Sequence, residues 1–231
     1  MNLDFSNRQV VVTGGTGALG AAVVDVLVRA GATCHVPAHR GPDPANRRER
    51  VHVTAGVDLT DEAKVTAFYE SLPSLWGSIH CAGAFDMSPI ADTSLKAFRQ
   101  MLDVNLITCF LCSREAVRKM RATRDPLGGR IVNVGSKPAL VPAGGTIAYS
   151  AAKAAVHALT LNLGEELAPE RIWVNAVVPS TMDTPANRKA MPQADFEKWP
   201  KVEEVAATIA FLASPQNGVT RGALVPVYGR S

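Results

Sequence analysis

In the stretch TIAYSAAKAAV, Thr146 to Val156, a tyrosine and a lysine stand four residues apart among small and apolar neighbours. On a helix, Tyr149 and Lys153 emerge on one face, about one turn apart. A phenol with an ordinary pKa of roughly 10 is a poor proton shuttle near neutrality, but a nearby cation stabilises the phenolate and lowers that pKa. The pair therefore suits a general acid for carbonyl reduction and a general base for alcohol oxidation. Ser136, thirteen residues upstream, follows the strand-like run RIVNVG, which puts its hydroxyl at a strand end where a substrate oxygen can be held. Asn105 is the one strongly polar member of a helical stripe made of Met101, Asn105, Cys109, Cys112, Ala116 and Met120. A buried amide must find partners, which means either a satisfied helix kink or a water relay toward Lys153.

A second cluster with chemical meaning lies near the start, where the run QVVVT passes into TGGTGALG and then into an amphipathic stretch with Leu19, Val23, Val26 and Ala30 on one face. A strand, a glycine-rich turn and a helix start in that order let a pyrophosphate approach the backbone closely and place its charge on free N–H groups. Gly14, Thr16, Gly17, Ala18, Leu19 and Gly20 are the contact residues this reading gives. The second strand ends in HVPAHRGPD, with Ala38, His39 and Arg40 where an acidic residue would hold a ribose 2′-hydroxyl. That favours NADP(H) over NAD(H), with Arg40 on the 2′-phosphate. Arg47, Arg48 and Arg50 either add attraction or sit on a solvated loop with Glu49. Asp58 is placed to meet the adenine, and Asp61 to open the next helix.

To position these groups the chain alternates short β-branched runs with longer stretches of helical period. The strands are QVVVT, TCHVP, VHVTAGV, GSIHCAG, RIVNVG, IWVNAVVP and ALVPVY. The helices cover Leu19 to Ala30, Glu62 to Ser71, Phe98 to Met120, Tyr149 to Leu167 and Glu203 to Leu212. The fold class that follows is α/β, a Rossmann-type doubly wound parallel sheet of about seven strands in one domain over residues 1–231. The strands show little polar alternation, as expected when helices cover both faces. The helix of Tyr149 is expected to bury Ala152, Val156, Leu159, Leu163 and Leu167. The segment from Pro179 to Pro200 follows a strand and is expected to form a substrate loop or lid.

Composition excludes several classes. Of 231 residues 47% are hydrophobic and 19% charged, and the net charge of +3 is too near balance to indicate a nucleic-acid or membrane binder. No stretch approaches the roughly 18 apolar residues of a membrane span, and no basic, signal-like start is present, so a cytoplasmic protein is expected. Cys34, Cys81, Cys109 and Cys112 are scattered through apolar segments and read as reduced core thiols, the CxxC spacing of the last two included. No metal is expected.

Taken together, TGGTGALG, HCAG, DVNL, Ser136, YSAAK and NAVVPSTMDT resemble the short-chain dehydrogenase/reductase family, in its order and over nearly the whole chain. The resemblance implies an NAD(P)-dependent oxidoreductase in which hydride passes between nicotinamide and a small carbonyl or alcohol substrate. It makes Tyr149 the catalytic acid/base, has Lys153 also grip the nicotinamide ribose, lets Ser136 position the reacting oxygen and has Asn105 support a proton relay. Leu59, Ala82, Gly83 and Pro179 join the cofactor-binding residues, and Met182 and Thr184 meet the carboxamide. A homodimer or homotetramer packed through the helices of Asn105 and Tyr149 is implied. The chain departs from the family pattern at Ala18, where a glycine is usual, at His80, where an asparagine is usual and a hydrogen-bonded structural role is expected, and at Ser180, in place of glycine. The segment Met182 to Trp199 is similar to dihydropteridine reductases, which raises reduction of a quinonoid pterin as an alternative to a ketone, although animal members lack the serine found at 136. A non-catalytic dinucleotide sensor is the third reading. Phe85, Met87, Pro142, Met191, Phe196 and Trp199 are expected either to wall the substrate site or to pack as a lid on the core.

Overall fold

The computed structural model describes residues 3–39, 41 and 48–231. Seven parallel strands make one sheet: β1 (Gln9–Thr13), β2 (Thr33–Pro37), β3 (Val51–Thr54), β4 (Gly77–His80), β5 (Gly129–Val134), β6 (Ile172–Pro179) and β7 (Leu224–Val227). Their order is β3-β2-β1-β4-β5-β6-β7, so the winding reverses between β1 and β4, where a crevice opens outside the strands' carboxyl ends. All seven expected strands are present. β3 stops before Ala55 and β4 before Cys81, leaving AGV and CAG as loops at that edge.

Alternate side chains of one strand feed two cores. Val10 and Val12 pack with α1 (Ala18–Arg29) and with Val205 and Ile209 of α7 (Val202–Ala213). Val11 faces the opposite way, into a core with Val65 and Phe68 of α2 (Glu62–Glu70) and Leu111 and Ala116 of α4 (Thr108–Thr123). This period of two, with both faces apolar, is what a sheet covered by helices on each side requires.

The helix expected over Phe98 to Met120 is a compound one. α3 (Leu95–Leu102) begins earlier, because the Ser94 hydroxyl accepts from the Ala97 N–H at 3.1 Å and caps it. A π turn over Asp103–Ile107 then joins α3 to α4. The helix of Tyr149, α5 (Ile147–Glu166), buries Ala152 and Val156 as expected, but Lys153, His157 and Thr160 are buried beside them, while Leu159 and Leu163 are half-buried. Between β6 and α7 the expected loop holds a short helix, α6 (Pro185–Ala190), capped by the Thr184 hydroxyl at 3.1 Å from the Asn187 nitrogen.

Candidate active site

The glycine turn has the shape of a phosphate cradle. Gly14 has φ +65°, and a Cβ there would lie 2.8 Å from the Ala82 nitrogen. A Cβ on Gly20 would lie 2.1 Å from the Gly14 carbonyl oxygen, so the start of α1 packs directly on the turn. Gly17 caps α1 without a side-chain hydrogen bond, the first turn carries no acidic residue, and Thr16, Gly17 and Ala18 are exposed. The helix thus presents free N–H groups and no competing anion, as a bound pyrophosphate would need. Leu19 and Gly20 are buried and support the turn from within. Thr13, the first residue of the motif, accepts the Ala82 N–H on its hydroxyl at 3.2 Å and ties the turn to the loop after β4, a role its place in the sequence does not announce.

Around the adenine and ribose positions, Asp58 accepts the N–H and hydroxyl of Thr60 at 2.9 and 2.7 Å, and these bonds hold its carboxyl below its ordinary pKa. Leu59 is buried beside it, and Asp61 caps α2 by accepting from Lys64 N–H at 3.2 Å. Ala38 and exposed His39 stand at the end of β2, whereas Arg40 and Arg47 lie outside the described residues. Arg48 pairs with Asp25 of α1, and Arg50 donates to the Gly31 carbonyl at 3.1 Å. Both precede β3, whose amino end is opposite the crevice, so attraction of a phosphate by these two is not what the fold provides.

The catalytic candidates meet at the carboxyl end of β5. Lys153 is 6% exposed, donates from Nζ to the Val134 carbonyl at 2.8 Å and lies 6.0 Å from the centroid of the Tyr149 ring. Burial lowers its pKa to about 8. Tyr149 is half-buried, and burial raises its phenol above the ordinary value while a hydrogen bond with the Ser136 hydroxyl pulls the other way. The expectation that Lys153 lowers this phenol is thus corrected: desolvation dominates, and the ammonium is turned to a carbonyl. Ser136 is buried, and the Phe85 ring stands edge-on to Tyr149 with centroids 4.9 Å apart.

Asn105 sits in the π turn. Its amide donates to the carbonyls of Ala84 and Met101 at 3.0 and 3.1 Å and accepts the Ala84 N–H at 3.3 Å. The Met101 carbonyl is the one that Asn105's own N–H would take in a regular helix, so the side chain repairs the kink. A Cβ on Gly83 would lie 2.6 Å from the Asn105 oxygen and 3.5 Å from Lys153 Nζ, so both side chains press on one glycine.

His80 has the structural place expected of it. The Tyr69 hydroxyl, the Ser78 hydroxyl, His80 and Asn133 are linked by successive bonds of 2.8 Å, and the Asn133 amide donates to Thr160 at 2.9 Å. Burial lowers the His80 pKa to about 4 and raises the Cys109 thiol to about 11 and the Cys34 and Cys81 thiols to about 12, consistent with inert, reduced thiols.

In the segment after β6, Pro179 is buried and the Met182 carbonyl accepts the Asn187 amide at 2.8 Å. The hydroxyl of Thr184 is spent on its cap. Arg188 grips Asp183 at 2.6 and 2.8 Å and covers the Phe196 ring, which packs on Trp199 at 5.0 Å. Phe196 and Trp199 are thus half-buried and packed within this segment, while Phe85, Met87, Pro142 and Met191 are exposed.

The sequence model of the family described as short chain dehydrogenase matches residues 8–195. The chain is 34% identical to the cis-4-hydroxycyclohexanecarboxylate dehydrogenase of Sinomonas cyclohexanicum, over 97% of this chain and 96% of that protein. It is also 34% identical to the galactitol 2-dehydrogenase of Rhizobium johnstonii, over 96% and 94%. A solved short-chain type dehydrogenase/reductase from Mycobacterium ulcerans superposes with a TM-score of 0.88 at 25% identity, covering 99% of this chain and 90% of its own.

Proposed function

The chain belongs to the short-chain dehydrogenase family of oxidoreductases, and from that premise we propose that it interconverts a small secondary alcohol and its ketone, with Tyr149 exchanging the proton on the substrate oxygen. The Gly14–Gly20 turn would hold a nicotinamide dinucleotide, which when bound would supply or accept the hydride. The observation that carries the reading is the meeting of a half-buried phenol, a buried serine and a buried ammonium at the end of β5, next to the crevice.

In the reducing direction the raised pKa keeps Tyr149 protonated near neutrality, and its O–H donates to the substrate oxygen as the carbon is reduced. Ser136 holds the same oxygen by a hydrogen bond. Phenolate charge develops beside the Ser136 hydroxyl, whose hydrogen bond stabilises it. With its pKa near 8, Lys153 returns a proton to the phenolate at little cost, and Asn105 supports this relay by fixing the Gly83–Ala84 backbone beside it. In alcohol oxidation the same steps run backwards.

NADP(H) is the favoured cofactor, because Ala38, His39 and Arg40 offer no carboxylate where a 2′-phosphate would sit. The exposed apolar side chains Ile107, Phe110, Ile147 and Leu161 support a homodimer or homotetramer, checked by analytical ultracentrifugation. Turnover is tested with a panel of cyclic hydroxy acids, sugar alcohols, simple ketones and quinonoid pterin, the last included for the resemblance of Met182 to Trp199. Each is assayed with both nicotinamide cofactors. Alcohol or ketone turnover with higher kcat/KM for the phosphorylated cofactor supports the proposal. Turnover of the pterin alone, or a preference for NADH, contradicts its substrate or its cofactor half respectively.

A further inference from the structure

The geometry points to His157 as a positioning residue that holds Ser136 in place through its backbone, with Gly135 as the seat that admits the imidazole. His157 lies on α5 four residues beyond Lys153, is 4% exposed, and has Nε2 3.3 Å from the Ser136 backbone nitrogen. A backbone N–H only donates, so Nε2 is the acceptor and the neutral ring carries its proton on Nδ1. Burial and the charge of Lys153 both lower the pKa of His157, which keeps it in this accepting form.

The seat is specific. A Cβ on Gly135 would lie 2.2 Å from Nε2 and 2.6 Å from Cδ2, so any side chain at 135 and this ring exclude one another. His157 Nδ1 is buried with no hydrogen-bond partner among the described residues. An orphaned buried donor is destabilising, so the ring is poorly explained as a structural filler, in contrast to His80, both of whose nitrogens are bonded. What the arrangement achieves is attachment. The Thr160 hydroxyl accepts from the Asn133 amide, Lys153 donates to the Val134 carbonyl and His157 accepts from the Ser136 N–H, so three turns of α5 fix residues 133, 134 and 136 at and just past the end of β5. His157 fixes the one whose hydroxyl shares the substrate oxygen with Tyr149, and a small misplacement there costs rate.

The inference rests on the proposed role of Ser136, so two readouts are needed. Imidazole ¹⁵N spectra of the wild-type protein give the tautomer without any substrate. The Nδ1–H form is expected, and an Nε2–H form overturns the proposal. In the second readout His157→Leu, checked for folding by its thermal melt, is assayed on the ketone turned over best in the panel. We expect kcat to fall roughly tenfold with KM for the cofactor unchanged, and His157→Gln, whose amide oxygen can accept, to recover most of the loss. In a Ser136→Ala background His157→Leu should cause no further loss. Wild-type kcat in His157→Leu, or the full loss persisting in Ser136→Ala, contradicts the inference. Wild-type kcat in Ser136→Ala alone instead removes the underlying reading of Ser136, while the tautomer still reports the contact.

Discussion

Two polar clusters lie on one face of the sheet, and they differ in how completely their polar groups are satisfied. Along the strand, Ile131 belongs to the core beneath α4, and Asn133 and Gly135 follow on the same face at a spacing of two. The inner cluster, from Tyr69 through Ser78, His80 and Asn133 to Thr160, has a partner for every ring nitrogen and hydroxyl in the chain of bonds. Because Asn133 Oδ1 only accepts, His80 Nδ1 donates to it. Nε2 then accepts from Ser78, and Ser78 from Tyr69, which fixes one direction for the whole chain. The outer cluster of Ser136, Tyr149, Lys153 and His157 lies just past the end of β5 and is incompletely satisfied. Among the described residues its lysine is a buried cation that donates to one carbonyl, and one of its histidine nitrogens has no hydrogen-bond partner. A closed network stabilises, whereas an open one keeps groups available for a substrate at a cost in stability.

Substitutions can break that contrast. The largest effect is expected for Tyr149→Phe, with kcat/KM reduced about a thousandfold and the melting temperature and cofactor affinity nearly unchanged. Next comes Lys153→Met, with turnover reduced about a hundredfold but the fold made more stable at pH 7. Burial holds the folded lysine at a pKa of about 8 against an ordinary 10.5, which costs about 3 kcal/mol at neutral pH, and losing the bond to Val134 returns about 1 of this. Between those two values the unfolded chain binds more protons than the folded one. Wild-type stability should therefore rise as pH increases from about 8 to 10.5, and denaturant melts of the variant should lack this rise.

The inner cluster should respond in the opposite way. His80→Leu orphans Ser78 and Asn133 and is expected to cost about 3 kcal/mol in urea melts, with kcat of the folded protein within about threefold of wild type. The smallest effect is expected for Thr160→Val, about 1 kcal/mol, since the Asn133 amide loses one acceptor. A loss of kcat in Thr160→Val as large as in Lys153→Met would dissolve the distinction between the clusters.

How much of this was legible in the sequence follows from what local pattern can encode. The alternation of β-branched runs with helical stretches gave all seven strands, and glycines followed by a helix start gave the cradle at Gly14. Tyr149, Lys153 and Ser136 come together as their spacing implied, because a helix turn and a strand end are local geometry. The kink at Asn105 is one of the two readings its place in an apolar stripe allows, whereas its form, a π turn over Asp103–Ile107, is set by packing that i, i+4 spacing does not encode. His157 was missed for a different reason. It shares a face with Lys153, but its meaning depends on the absence of a Cβ at Gly135, a contact between β5 and α5 that no periodicity contains. A downward effect of Lys153 on the phenol follows from charge alone, while the depth of burial, which decides the direction, is a property of the folded chain.

The central claim, that this site couples Tyr149's proton to hydride transfer, is tested most directly by incubating the protein with NADPH deuterated at the transferring position of C4 and the ketone it turns over, then locating the label by mass spectrometry. Deuterium on the carbinol carbon of the product from wild-type protein, and about a thousandfold slower labelling with Tyr149→Phe, is the predicted result. Label that never reaches a substrate carbon, or that arrives equally fast without the phenol, would contradict the account.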